Sequence, residues 1–248
     1  MPLALPITML RPMMGEEDVA RARRVYGRRR GRKLRPLQRG LMETLLPRLR
    51  VALPARGALT PLTLFPSTVE TIWLEIGFGA GEHLAAQAAA HPAIGLLGAE
   101  VYESGIAKLL VAVEHEKLGN VRIFADDARL LLHGLADRSL ARAFILFPDP
   151  WPKERHKKRR MVATETLDEL ARALIPGAEL RLATDDPDYA EWMVERFAAH
   201  PAFAEIARGT GAWPGRPADW PATRYEQKAL AAGRNPRFFR LARRPDAA

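Results

Sequence analysis

The feature that most restricts how this chain can fold is a repeated alternation, starting near residue 70, of short apolar runs with helical patterns. TIWLEI (71–76) leads into GEHLAAQAAA, IGLLGAE (94–100) into SGIAKLLVAVEHEKL, and VRIFA (121–125) into ARLLLHGL. RAFILF (142–147) then leads into TETLDELARALI, and AELRLAT (178–184) into PDYAEWMVERFAAH. Strand–helix alternation of this kind requires right-handed crossovers and a mostly parallel sheet with helices on both faces. RFFRLA (237–242) reads as a last strand. The stretch GTGAWPGRPADWPATRYEQ (209–227) is too long for a simple connection and is a candidate functional loop. No internal repeat is evident. The expected architecture is α/β, with one Rossmann-like domain over residues 51–248 and a basic N-terminal extension over residues 1–50.

Charge narrows the function. Lys and Arg number 38 against 29 acids, a formal net charge of +9. Such an excess suits a polyanionic partner, although alone it is equally a solubility device. Its placement is more telling. Residues 21–39 (RARRVYGRRRGRKLRPLQR) contain no acid, and Val25, Tyr26, Leu34 and Leu37 interleave the cations. Apolar residues let such an arm pack while it tracks phosphates. It runs into GLMETLLPRL, which has helical spacing. The chain has no cysteine, which excludes disulfides, thiol catalysis and thiolate metal sites. The opening MPLALPITMLRPMMG lacks a basic n-region, and no run approaches the roughly 18 apolar residues of a membrane span. A cytoplasmic protein without metal or membrane partner is expected.

The first strand ends in LEIGFGAGEH, which places Gly77, Gly79 and Gly81 at a strand-to-helix turn. Glycines there permit a tight turn and close approach of a ligand to the backbone. Glu82 occupies the third glycine position of the dinucleotide pattern, and a carboxylate at that helix start would repel a pyrophosphate. Acids also gather at successive strand ends: Glu75, Glu100, Asp126 and Asp127. Glu100 follows Gly81 by about 20 residues, the usual spacing of an acid that bonds ribose hydroxyls. An acidic pocket in so basic a protein points to a ligand with positive charge and no phosphate. S-adenosylmethionine, with its sulfonium, ammonium and ribose, fits. Position assigns Glu75 to the ammonium, Glu100 to the ribose and Asp127 to the adenine amino group.

After the fourth strand comes FPDPWPKERHKKRR (147–160). Pro148, Pro150 and Pro152 fix φ and stiffen the turn, so Asp149 and Trp151 point in defined directions. In a doubly wound sheet this strand end adjoins the ligand-binding switch point. The basic cluster therefore sits beside the expected reactive centre.

The order LEIGFGAGEH, GAEVYESG, ADDA, FPDPWPKERHKKRR, ATDDPDYAEWM and TRYE closely resembles the bacterial tRNA (guanine-N7)-methyltransferase family, from the GRRRGRKLRPLQ stretch to the final strand. The resemblance implies a class I methyltransferase fold with a seven-stranded sheet, and methylation at N7 of guanine 46 in the tRNA variable loop. It places Glu75, Glu100, Asp127 and Asp149 in the S-adenosylmethionine site, with Asp149 catalytic. Lys153, Asp185, Thr223, Arg224, Tyr225 and Glu226 match positions that hold the substrate guanine. Arg155, His156, Lys157, Lys158, Arg159 and Arg160 match the RNA-contacting segment. The family usually has Lys-Phe where this chain has Arg224-Tyr225. The partner implied is tRNA, met by a monomer or a homodimer.

This chemistry suits these residues. Guanine N7 is a lone-pair acceptor that needs no deprotonation before it attacks a methyl carbon. Placement and nearby negative charge are what help. Asp149 can accept from guanine N1–H and its exocyclic amine while offsetting the cation that forms on the ring. Trp151 can stack on the purine or serve as a structural aromatic. Three rivals remain at this stage: methylation of an exocyclic amine, a non-catalytic RNA binder and a dinucleotide oxidoreductase. The first usually carries a second proline after Asp-Pro, where this chain has Trp151. The intact acid set argues against the second, and Glu82 against the third.

Overall fold

The computed structural model describes residues 29–31, 33–206 and 216–246. Val25, Tyr26, residues 1–20 and the first part of the 209–227 stretch lie outside the described residues. The strands are β1 (Thr71–Ile76), β2 (Ile94–Ala99), β3 (Val121–Phe124), β4 (Leu140–Leu146), β5 (Leu174–Thr184), β6 (Phe203–Glu205) and β7 (Arg237–Arg243). They form one sheet in the order β3-β2-β1-β4-β5-β7-β6. β1 pairs parallel with β2 and β4, β2 with β3, and β4 with β5, while β7 runs antiparallel to β5 and β6. This is the seven-stranded class I methyltransferase sheet. Its order reverses between β1 and β4, the place where doubly wound folds bind ligands.

Eight α-helices are described: α1 (Pro36–Thr44), α2 (Leu46–Leu49), α3 (Glu82–Ala90), α4 (Glu103–Glu116), α5 (Ala128–Gly134), α6 (Thr164–Ala173), α7 (Pro187–Ala199) and α8 (Arg224–Ala231). Alternation along β1 sends Ile72, Leu74 and Ile76 into the core under α5, α6 and α7. Trp73 faces the opposite core, under α1 to α4. The period of two therefore puts Glu75 on Trp73's side.

Residues 36–49 are integral to that second core. Leu41, Leu45, Leu46 and Leu49 are buried beside Ile106, Leu110 and Val113 of α4. Arg50 bridges to Ile123, and Val51 N–H donates to the Ile123 carbonyl at 2.8 Å, so the chain closes the exposed side of β3. Leu37, in contrast, stays exposed.

Two elements depart from the sequence expectation. β6 has only three residues, too few for alternation to register. α8 lies where a loop was expected, yet its start carries a capping signal: Thr223 Oγ1 accepts from Glu226 N–H at 3.2 Å, the T-x-x-E pattern. Ahead of α8, Trp220 is buried against Ala183 and Phe238. The segment around it thus covers the part of the sheet face beyond α3. No helix among the described residues is long and apolar enough to cross a membrane.

Candidate active site

The turn after β1 is built on left-handed backbone: φ is +71° at Gly77, +56° at Gly79 and +78° at Gly81. Side chains other than glycine adopt such values at a cost of about 1–2 kcal/mol. Glu100, at the end of β2, folds back onto this turn. Its Oε2 accepts from Gly79 N–H at 2.8 Å, and its Oε1 accepts from Val101 N–H at 2.7 Å and Tyr102 N–H at 2.9 Å. Burial pushes the Glu100 carboxyl above its ordinary pKa, these three amides pull it back, and the charge of Asp149 raises it again. Two carboxylates from different strand ends thus face one space.

After β3, Asp127 Oδ1 caps α5 by accepting from Arg129 N–H at 2.9 Å, and the Arg129 guanidinium lies 3.3 Å from Oδ2. Asp126 Oδ1 accepts from Asp127 N–H at 2.9 Å and from the Arg29 guanidinium at 3.1 Å. Gly77, Gly79, Glu100, Asp126, Asp127 and Asp149 line a single cavity of about 420 Å³ at the β1–β4 switch. Trp151, Arg159 and Tyr225 line it as well.

Two residues expected here lie elsewhere. Glu75 is absent from the lining because strand alternation turns it under α3, where its Oε2 meets His83 Nδ1 at 2.7 Å; both side chains are almost fully buried. Its carboxylate is therefore engaged with His83 rather than aimed at the cavity. Gly81 is the residue just before α3, and a Cβ there would come within 2.7 Å of Leu109, so this glycine serves helix packing.

The turn carrying Asp149 is held in an unusual shape. Phe147 and Trp151, which bracket it, adopt φ of +51° and +45°. Each such conformation costs about 1–3 kcal/mol and persists only where surroundings enforce it. Phe147 N–H donates to the Ala183 carbonyl at 2.8 Å, and its ring meets Phe238 edge-on. The Trp151 ring is gripped between His156 (5.9 Å, 89°) and the Arg159 guanidinium (5.0 Å). Residues 154–159, Glu154 followed by five basic or imidazole side chains, form a 3₁₀ turn folded back on this loop.

The basic run divides by orientation. Lys153, Arg155 and Lys158 are exposed. Lys157 pairs with Glu154 at 2.9 Å and with Asp188 at 3.5 Å. Partial loss of water, followed by the charges of Arg159, Arg155, Lys153 and Lys158, pushes the His156 pKa down. Arg160 corrects the sequence expectation. Its side chain is wholly buried, with Nε donating to the Pro150 carbonyl at 2.8 Å and a second nitrogen bound to Asp188. A guanidinium sealed between Tyr189 and Trp192 cannot reach RNA.

Of the four residues 223–226, only Tyr225 lines the cavity. Its ring packs over Gly79, so close that a Cβ on that glycine would lie 3.1 Å from Tyr225 Cε2. Burial first, then the charges of Glu100 and Asp149, raise the Tyr225 pKa. Thr223 caps α8, Arg224 N–H donates to Glu82 at 2.9 Å, and buried Glu226 accepts from Arg216 Nε at 3.1 Å. Asp185 lies outside the lining and pairs with Arg234 at 2.8 Å.

The profile of a family described as "Putative methyltransferase" matches residues 69–238. A tRNA (guanine-N(7)-)-methyltransferase of Rhodospirillum rubrum is 50% identical over 228 residues, covering 91% of this chain and 89% of that one. The protein of the same name in Paramagnetospirillum magneticum is 54% identical over 223 residues, 89% and 93% of the two chains. The chain belongs to the tRNA (guanine-N7)-methyltransferase family. The solved 16S rRNA methyltransferase KamB shares the fold with a TM-score of 0.53 at 16% identity, over 77% of this chain and 96% of that one.

Two further residues shape the site without having stood out in the sequence. Gly105, in the first turn of α4, packs so closely on the glycine turn that a Cβ would sit 2.1 Å from the Gly79 carbonyl oxygen. Arg129 ties the Asp127 carboxylate to the Arg159 carbonyl, which accepts from its guanidinium at 3.1 Å. Gly105 was visible within the motif GAEVYESG, but only the fold shows what it touches. Arg129 carries no sequence signal.

Proposed function

We propose that this protein transfers a methyl group from S-adenosylmethionine to N7 of guanine 46 in the variable loop of tRNA. The observation that carries the reading is the convergence of Glu100, Asp126, Asp127 and Asp149 on one cavity, with the exposed cations Lys153, Arg155 and Lys158 in the segment that directly follows Asp149. The relatives' shared name supports guanine N7 as the target.

The residues fit the cofactor. A Cβ on Gly77 would meet no protein atom within 4 Å, so the turn leaves space on the cavity side. Glu100 keeps acceptor capacity on Oε2 beyond its bond from Gly79, which suits a ribose hydroxyl. Asp127 and the backbone beside it border the adenine end, and Arg129 fixes that carboxylate's direction. Bound here, S-adenosylmethionine supplies an electrophilic methyl group on its sulfonium.

Guanine N7 offers its lone pair at neutral pH, so no general base is required. Asp149 orients the base by accepting from N1–H and the exocyclic amine, a pattern that adenine cannot match. Such a bidentate contact is worth about 1–3 kcal/mol of discrimination. The positive charge that the guanine ring would gain on accepting the methyl group would be stabilised by the Asp149 carboxylate. Tyr225 and Trp151, which both line the cavity, limit where the purine can lie. Lys153, Arg155 and Lys158 hold phosphates and add little sequence preference.

Incubating the protein with unmodified tRNA and labelled cofactor, then mapping the product nucleotide, tests this reading. We expect 7-methylguanosine at position 46; a methylated exocyclic amine would refute it. Gly105→Ala tests the cofactor seat independently. The added methyl must push the Gly79 carbonyl aside, and overpacking of this kind costs about 1–3 kcal/mol, so the calorimetric Kd for S-adenosylmethionine should rise about tenfold or more. An unaltered Kd would place the cofactor elsewhere.

A further inference from the structure

Glu82 argues against a pyrophosphate ligand, but the cofactor and substrate roles above do not use it. It opens α3, the helix that begins at the glycine turn, yet its carboxylate points out of that helix. Glu82 Oε2 accepts from Arg224 N–H at 2.9 Å, at the first residue of α8. The accompanying contact to Arg224 Nε is 3.7 Å long and exposed, so the guanidinium adds little. One carboxylate therefore stands at the electropositive starts of two helices, one from the cofactor turn and one bearing residues 223–226.

Other α3 residues reach the same segment. Gln87, itself buried, donates from Nε2 to the Asp219 carbonyl at 2.9 Å. The His83 ring meets Trp220 edge-on at 6.1 Å. Beyond α3, buried Arg181 holds the Asp219 carboxylate at 2.7 Å. Gln87, His83 and Arg181 all grip residues 219 and 220, ahead of α8. Among the described residues of α3, only Glu82 holds the start of α8 directly, at the residue just before Tyr225, whose ring lies on Gly79.

We infer that Glu82 is a positioning residue for methyl transfer: its bond to Arg224 N–H sets residues 223–226, and with them Tyr225, against the cofactor turn. This rests on the proposed tRNA methylation and adds to it the device that registers the base side of the cavity to the cofactor side. Without the bond, α8 keeps its own cap from Thr223 but loses its fixed distance from Gly79. Misplacement of reacting groups by about 1 Å costs up to about 10²-fold in rate.

Glu82→Ala and Glu82→Gln in the full-length protein test the inference, since glutamine retains a carbonyl oxygen able to accept from Arg224 N–H. The alanine variant should lose about tenfold or more in kcat on tRNA with the S-adenosylmethionine Kd changed by no more than about twofold. Amide hydrogen exchange in residues 224–231 should accelerate in the alanine variant. Glutamine should restore most of both. The inference is overturned if alanine leaves kcat within about twofold of wild type, if the cofactor Kd rises as much as kcat falls, or if glutamine rescues no better than alanine. A wild-type chain that leaves tRNA unmethylated would instead refute the proposed function; exchange at 224–231 then still reports whether Glu82 anchors α8, and unchanged exchange refutes the anchor.

Discussion

Replacing Asp149 with alanine is expected to lower methyl transfer by about 10²-fold or more, the range seen when one fixed electrostatic stabiliser is lost. Affinity for the cofactor should change by no more than about threefold, and affinity for tRNA by no more than the base contact supplies, about 1–3 kcal/mol, because the larger effect of Asp149 is on charge that develops during the reaction. The reasoning starts from the backbone. Three prolines alternate with Phe147, Asp149 and Trp151, and two of those three adopt left-handed φ. Such a turn has few alternatives, so the backbone that carries Asp149 is set before substrate arrives. Asp149 lines the same cavity as Glu100, whose pKa its charge raises. Asp149→Asn sharpens the test: it keeps one of the two acceptors for guanine but loses the charge, so it should bind tRNA no worse than the alanine variant and remain slow. Single-turnover rates with saturating tRNA are the measurement. Near-normal turnover in both variants would remove Asp149 from the chemistry.

What could be read from the sequence follows from how local each signal is. The run TIWLEI gave β1 to the residue, since a strand buried on both faces and a following glycine turn leave no other reading. The helix assigned to TETLDELARALI ends at Ala173, because the chain enters β5 at Leu174 ahead of Pro176 and Gly177. Gly77, Gly79, Glu100, Asp127 and Asp149 were legible as a group because a parallel sheet gathers its strand ends. Glu75 was misplaced although it too lies near a strand end. It shares the sheet face of Trp73, and only the identity of the covering helix shows that His83 waits on that face. The T-x-x-E cap at 223–226 was present but hidden by the preceding Gly, Pro and Trp residues. Contacts such as Gly105 on Gly79 or Glu82 on Arg224 join residues far apart in sequence, and no pattern within either segment announces them.

Arg160 presents the opposite problem, a signal that was plain and misleading. In a run of six basic or imidazole side chains, composition cannot tell which one turns inward. The structure separates them, and the separation predicts two kinds of variant. Arg160→Ala removes a fully buried side chain, its bond to the Pro150 carbonyl and its packing against Tyr189 and Trp192. Asp188 is 57% exposed and would rehydrate, so the ion pair itself contributes little. The cavity and the orphaned carbonyl dominate, at about 3 kcal/mol. In a chain of this size that lowers Tm by about 6–12 °C. Lysine should not rescue, since one ammonium cannot reproduce the planar fork that spans Pro150 and Asp188. Arg155→Glu and Lys158→Glu, on exposed side chains, should leave Tm within about 2 °C. They should weaken tRNA binding and reduce the slope of log affinity against log salt by about one for each phosphate that is no longer neutralised. Thermal melts and salt-dependent binding on the same three variants separate the two effects. An Arg160→Ala protein that melts like wild type but loses salt-dependent tRNA affinity would mean that this guanidinium faces RNA and that the packing around Pro150 is held by something else.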